Sequence, residues 1–132
     1  MILVVLQNAY REKGEYVDRE EWLERLWLSH TGRRLKTMLP EGVDFYIDNA
    51  TPEIGKTSDS CFPADAQHLK MVIDTVRPEI ILACGLVAQA GLEALGYAYV
   101  AAPHPAWRQL KRSHCEWIRI QLERMVGDDT TG

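Results

Sequence analysis

The sequence predicts an α/β fold in three layers, α/β/α, with helices on both faces of a four-stranded, mostly parallel sheet. Three observations predict it. The chain opens on an apolar run without charge or helical period, Met1-Ile2-Leu3-Val4-Val5-Leu6, as expected of a strand buried on both faces. Short apolar runs then alternate with segments of helical spacing, in the order strand, helices, strand, helix, strand, helix, strand, helix. Right-handed crossovers between parallel strands place such helices on both faces. Each strand finally gives way to a short turn, so all four strand ends are expected at one edge of the sheet.

Taken in order, the first strand is followed by Gln7-Asn8-Ala9-Tyr10, at the carboxyl end where open α/β sheets bind ligands. Across residues 16–39, Trp22, Leu23, Leu26, Trp27, Leu35 and Met38 recur at mostly helical spacing, and Asp18 suits an N-cap with Glu21 three residues on. Ser29-His30-Thr31-Gly32 interrupts the pattern, predicting two helices joined by a tight turn and closed by Pro40-Glu41-Gly42. Residues 43–47 form the second expected strand, running into Asp48-Asn49-Ala50-Thr51-Pro52; residues 53–60 read as a mobile loop. A helix over 63–76 carries Leu69, Val72, Ile73 and Val76 on one face and stops at Arg77-Pro78, because the residue before proline avoids helical angles. Residues 79–83 are the third strand, leading through Cys84-Gly85 into a helix that ends at Leu95. Gly96-Tyr97 turns the chain into the fourth strand, 97–101, which ends at Ala102-Pro103-His104-Pro105. A closing helix over 107–126 and a frayed tail over 127–132 complete the single domain expected over residues 1–126.

The composition narrows the function classes. A length of 132 residues supports one core, and 46% hydrophobic with 26% charged residues is ordinary for a folded domain. Met1 leads directly into the first strand, so no signal peptide is expected, and no apolar run reaches the roughly 20 residues of a membrane helix. A cytoplasmic protein with no membrane partner is the expectation. Cys61, Cys84 and Cys115 are odd in number and widely spaced without a Cys-x-x-Cys pair, and they read as free thiols, with no metal expected. A net charge of -4 argues against a uniformly basic nucleic-acid coat and leaves room for local patches, Arg33-Arg34 with Lys36 and Arg108 with Lys111-Arg112.

The strand ends supply Gln7, Asn8, Tyr10, Asn49, Cys84-Gly85 and His104. None is acidic, and only Asp48 lies near. Paired-carboxylate or two-metal hydrolysis would require more acids here. The set suits a neutral, planar, hydrogen-bonding ligand against an aromatic wall. No Gly-x-Gly-x-x-Gly or Walker loop follows the first strand, which weakens a flavodoxin-like or nucleotide-binding reading.

In these residues the chain resembles the uracil-DNA glycosylase superfamily. Gln7-Asn8-Ala9-Tyr10 is similar to its first motif, Gly-Gln-Asp-Pro-Tyr, with Leu6 for the glycine, Asn8 for the aspartate and Ala9 for the proline. His104-Pro105-Ala106 resembles the second motif, His-Pro-Ser, and Phe45-Tyr46-Ile47-Asp48-Asn49 the middle strand ending in the asparagine that reads the pyrimidine. Thr31-Gly32-Arg33-Arg34-Leu35, and Arg77-Pro78 before Ile80, resemble connecting segments of the iron-sulfur branch, whose cluster-ligating cysteines have no counterpart here. The likeness spans nearly the whole chain in the right order, as for a minimal, phage-type member, and implies a uracil-DNA glycosylase-like fold.

The resemblance also implies roles. Asn8 and His104 are the expected catalytic pair, Asn8 orienting the attacking water and His104 donating to the anion that develops at O2. Gln7, Tyr10, Asn49 and Gly85 are the expected substrate-binding residues: Asn49 reads O4 and N3–H, Tyr10 packs against C5 to reject thymine, and Gln7 offers its backbone N–H. Arg33, Arg34, Lys36, Trp107, Arg108, Lys111 and Arg112 are the expected DNA contacts, Trp107 as an aromatic wedge. The activity implied is monofunctional excision of uracil or a related pyrimidine from DNA without cofactor. The alternative is a module of the same fold that binds DNA or a modified base and performs no chemistry, which the change of Asp to Asn8 favours.

Overall fold

The computed structural model describes residues 1–11, 18–57 and 59–131. Backbone packing divides the chain into two compact units, the first made of residues 1–22 and 44–104, the second of residues 23–43 and 105–132.

The first unit is built on a four-stranded sheet. Its strands are β1 (Ile2–Leu6), β3 (Phe45–Asn49), β5 (Ile80–Cys84) and β6 (Val100–Ala102), in the order β3-β1-β5-β6. Every pairing is parallel, with Leu6 opposite Asn49, Val5 opposite Ala83 and Cys84 opposite Ala102. The α/β class and the four-stranded sheet are as the alternation of apolar runs predicts. β1 and β5 are buried at all five positions, which explains their apolar sequences without in-out alternation. On one face, Leu3, Val5, Ile81 and Ala83 pack with Leu69, Val72 and Ile73 of α3 (Ala66–Val76) and with Ala88 and Leu92 of α4 (Leu86–Leu95).

Local chemistry sets the helix limits. Asp65 caps α3 by accepting the His68 N–H at 3.0 Å, so the helix starts three residues later than its apolar pattern suggests. At its far end Arg77, in the left-handed region at φ 50°, closes the helix before Pro78. Asp18 caps α1 (Arg19–Leu28) by accepting the Glu21 N–H at 2.9 Å; the expected start at residues 16 and 17 lies outside the described residues.

Three strands differ in their bounds from the sequence reading, β5 by lying one residue later than 79–83. β3 begins and ends two residues later than the apolar run predicts, so Asn49 closes the strand instead of lying in the turn after it. β6 is shorter, because residues 97–99 approach the sheet without pairing. A further pair was not expected at all. β2 (Ala9–Tyr10) and β4 (Ile54–Gly55) form a second, two-stranded parallel sheet, so part of the segment read as a mobile loop is hydrogen-bonded structure.

The second unit centres on α2 (His30–Met38) packed with α5 (Arg112–Thr131). Ser29 alone separates α1 from α2: its hydroxyl donates to the Leu26 carbonyl at 2.5 Å and accepts the Gly32 N–H at 3.1 Å. α5 starts five residues later than expected and continues to Thr131, through most of the stretch read as a frayed tail. The late start has a cause in Arg34. Its guanidinium donates to the carbonyls of Pro105 at 3.1 Å, of Trp107 at 2.9 Å and of Leu110, which holds 105–110 as a turn. The helix begins instead at Arg112, directly after Lys111, whose N–H is accepted by the His114 ring at 3.1 Å.

The core account predicts a contrast between two leucines. Leu82→Ala, at a position with no solvent exposure, lowers the unfolding free energy by about 2–5 kcal/mol in urea denaturation. Leu86→Ala, at a position 83% exposed, changes it by less than about 0.5 kcal/mol.

Candidate active site at the carboxyl edge of the sheet

Because all four strands run parallel, their carboxyl ends share one edge. Along that edge stand Asn49 on β3, Gln7 and Asn8 after β1, Gly85 after β5 and His104 two residues after β6. Three gaps of about 4.8 Å place the outermost ends roughly 14 Å apart. The structure therefore brings the expected catalytic and base-reading residues to one edge.

Asn49 is 93% buried, at 7% exposure, and its side-chain oxygen has no hydrogen-bond partner among the described residues. The Asn8 oxygen is likewise buried and unpartnered, although the Asn8 amide nitrogen donates to the Ala9 carbonyl at 3.0 Å. That bond fixes the direction of the Asn8 amide and leaves its acceptor pointing elsewhere. Burying an unsatisfied acceptor costs about 1–3 kcal/mol, and two at one edge are a reservoir that a donor-bearing ligand would relieve.

His104 is partly buried, and burial holds its pKa below the ordinary 6.5, so the ring is neutral at pH 7. Gly85 makes room for it. A Cβ at residue 85 would stand 3.2 Å from the His104 Cβ, and the backbone there has φ +92°. Gly85 donates its N–H to the Ala102 carbonyl at 2.8 Å, and the Gln89 amide donates to the carbonyls of Ala83 at 3.3 Å and Ala102 at 3.1 Å. The turn before His104 is thus tied to the end of β5. α4 starts immediately after Gly85 with no side-chain cap, adding the partial positive charge of a helix amino terminus to this edge.

β2 and β4 adjoin Asn8. Gly55 lies against both Ser60 and the Asn8 amide: a Cβ there would fall 2.2 Å from the Ser60 Cβ and 3.5 Å from the Asn8 nitrogen. Tyr10, on β2 opposite Gly55, is 44% exposed, and Gln7 is partly buried. Neither Gly55 nor Ser60 stands out in the sequence, because a two-residue strand is too short to show a period.

The expected DNA contacts divide in two by environment, all within the second unit. Arg33, Lys36, Arg108 and Lys111 are exposed, and Trp107 is 45% exposed in the turn with its ring 6.2 Å from that of His114. Arg34 is committed to the three carbonyls of that turn, and Arg112 to Glu116 at 3.1 Å.

Other chemistry is limited. Cys61, Cys84 and Cys115 are free, and burial pushes the Cys84 thiol up to about 12, where it stays protonated. Among the described residues no group of three or more His, Cys, Asp or Glu is placed to hold a metal, and no helix is long and apolar enough to cross a membrane. A shallow depression at the opposite, amino edge is lined by Ile73, Asp74, Arg77 and Tyr97, and none of the expected site residues reaches it.

The burial of His104 predicts a pH effect on stability. The unfolded chain takes up a proton near 6.5 while the folded one resists it, so the contribution is complete above 6.5 and is lost as pH falls from there to the lowered folded value. Removing the ring by His104→Gln removes this component. The stability difference between wild type and His104→Gln, measured by urea denaturation, is expected to shift against wild type as pH drops below 6.5; a pH-independent difference contradicts the burial.

Comparison with protein-family models, with curated proteins and with solved structures finds no match for the chain.

Proposed function

We propose that the protein is a monofunctional DNA glycosylase that hydrolyses the N-glycosidic bond of uracil, or of a related pyrimidine, in DNA. The observation that carries the reading is the pair of buried, unpartnered amide oxygens of Asn8 and Asn49 at the sheet edge that also holds the partly buried His104. The resemblance of Gln7-Asn8-Ala9-Tyr10 and His104-Pro105-Ala106 to the superfamily motifs supports it independently.

The chemistry follows from what each group offers. The target nucleotide leaves the stack, since its glycosidic bond is otherwise out of reach. Asn49 accepts the uracil N3–H through its orphaned oxygen and donates to O4; cytosine has no N3–H to give. Tyr10 covers C5 and leaves no room for a methyl group. As the bond from C1′ to N1 stretches, negative charge moves to O2, where the neutral His104 donates a hydrogen bond and the uncapped start of α4 adds a favourable field. The Asn8 oxygen accepts a hydrogen bond from water and aims it at C1′. Water adds its oxygen to C1′ as the C1′–N1 bond breaks, the base leaves as an anion, and the proton that the water sheds passes through solvent to neutralise that anion.

Asn8 is an amide and takes up no full proton, so the reaction is slower than with aspartate. No lysine stands among the strand-end residues to form a Schiff base, and the product is an abasic site without strand cleavage. Exposed Arg108, Lys111, Arg33 and Lys36 supply phosphate contacts, and Trp107 a stacking face.

A uracil-containing oligonucleotide is the test. Wild type is expected to release free uracil and to leave the strand uncut until alkali is added. His104→Ala lowers the single-turnover rate by about 10²–10³-fold. Asn8→Asp raises it by about 10²-fold, the lower end of what a positioned base contributes. Release of no base by a folded protein that still binds the oligonucleotide overturns the glycosylase reading in favour of a binding module.

A further inference from the structure

β3 is an edge strand: among the described residues one of its sides has no neighbouring strand. The Ala50 N–H donates to the Leu6 carbonyl and the Ile2 N–H to the Asp44 carbonyl. In a parallel ladder this turns the backbone groups of Ile47 and Asn49 away from β1, toward the open side. Such groups invite further strand pairing or fraying unless something covers them.

Two side chains bond to them, Arg19 to the Ile47 carbonyl and Asp48 to the Asn49 N–H, and a third, His68, holds Asp48. Arg19, at the start of α1, donates to the Ile47 carbonyl and lies over the Tyr46 ring at 4.0 Å. The Asp48 carboxylate accepts the Asn49 N–H at 2.7 Å. Asp48 is itself held, with the His68 ring nitrogen of α3 at 3.4 Å from one oxygen and an Arg19 nitrogen at 3.8 Å from the other. All three are largely withdrawn from solvent, with side-chain exposures of 34% for Arg19, 20% for Asp48 and 12% for His68.

We infer that Asp48, pinned by Arg19 and His68, is a positioning residue that holds the Asn49 amide in its base-reading orientation and thereby sets the pyrimidine selectivity of the site. The inference rests on the glycosylase reading. Asn49 keeps its acceptor buried and unsatisfied, an arrangement that relaxes if the end of β3 can twist or fray. Fixing the Asn49 N–H on the carboxylate of the preceding residue removes that freedom, while alternation along the strand sends the Asp48 side chain to the face of α3 and the Asn49 side chain to the other face. The negative charge beside the reading amide is thus spent on Arg19, His68 and a backbone N–H, away from the base.

The experiment compares wild type, Asp48→Ala, Asp48→Asn, His68→Ala and Asn49→Ala on oligonucleotides carrying uracil or cytosine. KM, kcat and the ratio of uracil to cytosine excision are measured, and thermal melting shows that each variant is folded. Asp48→Ala is expected to raise KM by about tenfold and to lower the uracil-to-cytosine ratio by a similar factor, with kcat for uracil within about twofold of wild type. Asp48→Asn, which keeps an oxygen for the Asn49 N–H, restores most of the ratio; His68→Ala shifts it in the same direction as Asp48→Ala by a smaller factor. A merely structural Asp48 would reduce kcat through loss of folded protein and leave KM and the ratio alone, and that outcome overturns the inference while the glycosylase reading stands. A selectivity unchanged in Asn49→Ala overturns it as well. Absence of excision by wild type removes the glycosylase reading and this inference with it.

Discussion

β1 hydrogen-bonds in parallel to β3 on one side and to β5 on the other, β5 pairs in turn with β6, and the placement of the expected catalytic groups at one edge follows from that arrangement. Residues distant in sequence share one edge because their strands point the same way. The two central strands are apolar throughout, so they carry no polar face by which a one-residue slip would be rejected. Register must therefore be set at the strand ends. The Ala50 N–H on the Leu6 carbonyl, the Asp65 N–H on the Ala50 carbonyl, the Gly85 N–H on the Ala102 carbonyl and the Gln89 amide across β5 and β6 all act there. The bonds that define the register are the ones that border the candidate site.

The same edge separates charge from recognition. Its candidate site groups are two amides and a neutral imidazole, which suit a ligand whose own groups are donors and acceptors of no net charge. Burial strengthens hydrogen bonds made to such groups and penalises any left unmade. The nearby carboxylate, Asp48, is turned toward α3 and engaged by Arg19 and His68. In the second unit a related economy applies: Arg34 gives up its cation to organise the turn that carries Trp107, leaving Arg108 and Lys111 exposed beside it.

Much of this was legible in the sequence, for identifiable reasons. Ile2–Leu6 and Ile80–Cys84 are fully buried strands, and a run of apolar residues without period announces that directly. Asp18 and the arrest at Arg77-Pro78 are local effects, encoded within a few residues of where they act. The start of α5 was not legible. Trp107 and Leu110 have helical spacing, but the carbonyls around them are taken by Arg34, more than seventy positions earlier in the chain. The β2–β4 pair escaped because two-residue strands have no pattern, and the Arg19, Asp48 and His68 cluster because no local spacing joins three elements. The apolar run alone left Asn49 in a turn, the motif resemblance put it at the end of a strand, and the final hydrogen bonds of β3 carry it into the strand as a buried amide.

The central claim is that the carboxyl edge is a preformed receptor for one uracil ring, and side-chain NMR tests it most directly. Titration with free uracil is expected to shift the Asn49 side-chain amide and the His104 ring resonances together, and cytosine is expected to shift them far less. Perturbations confined to the depression at the amino edge around Arg77 and Tyr97, or no perturbation of Asn49 and His104 at saturating uracil, would contradict the account.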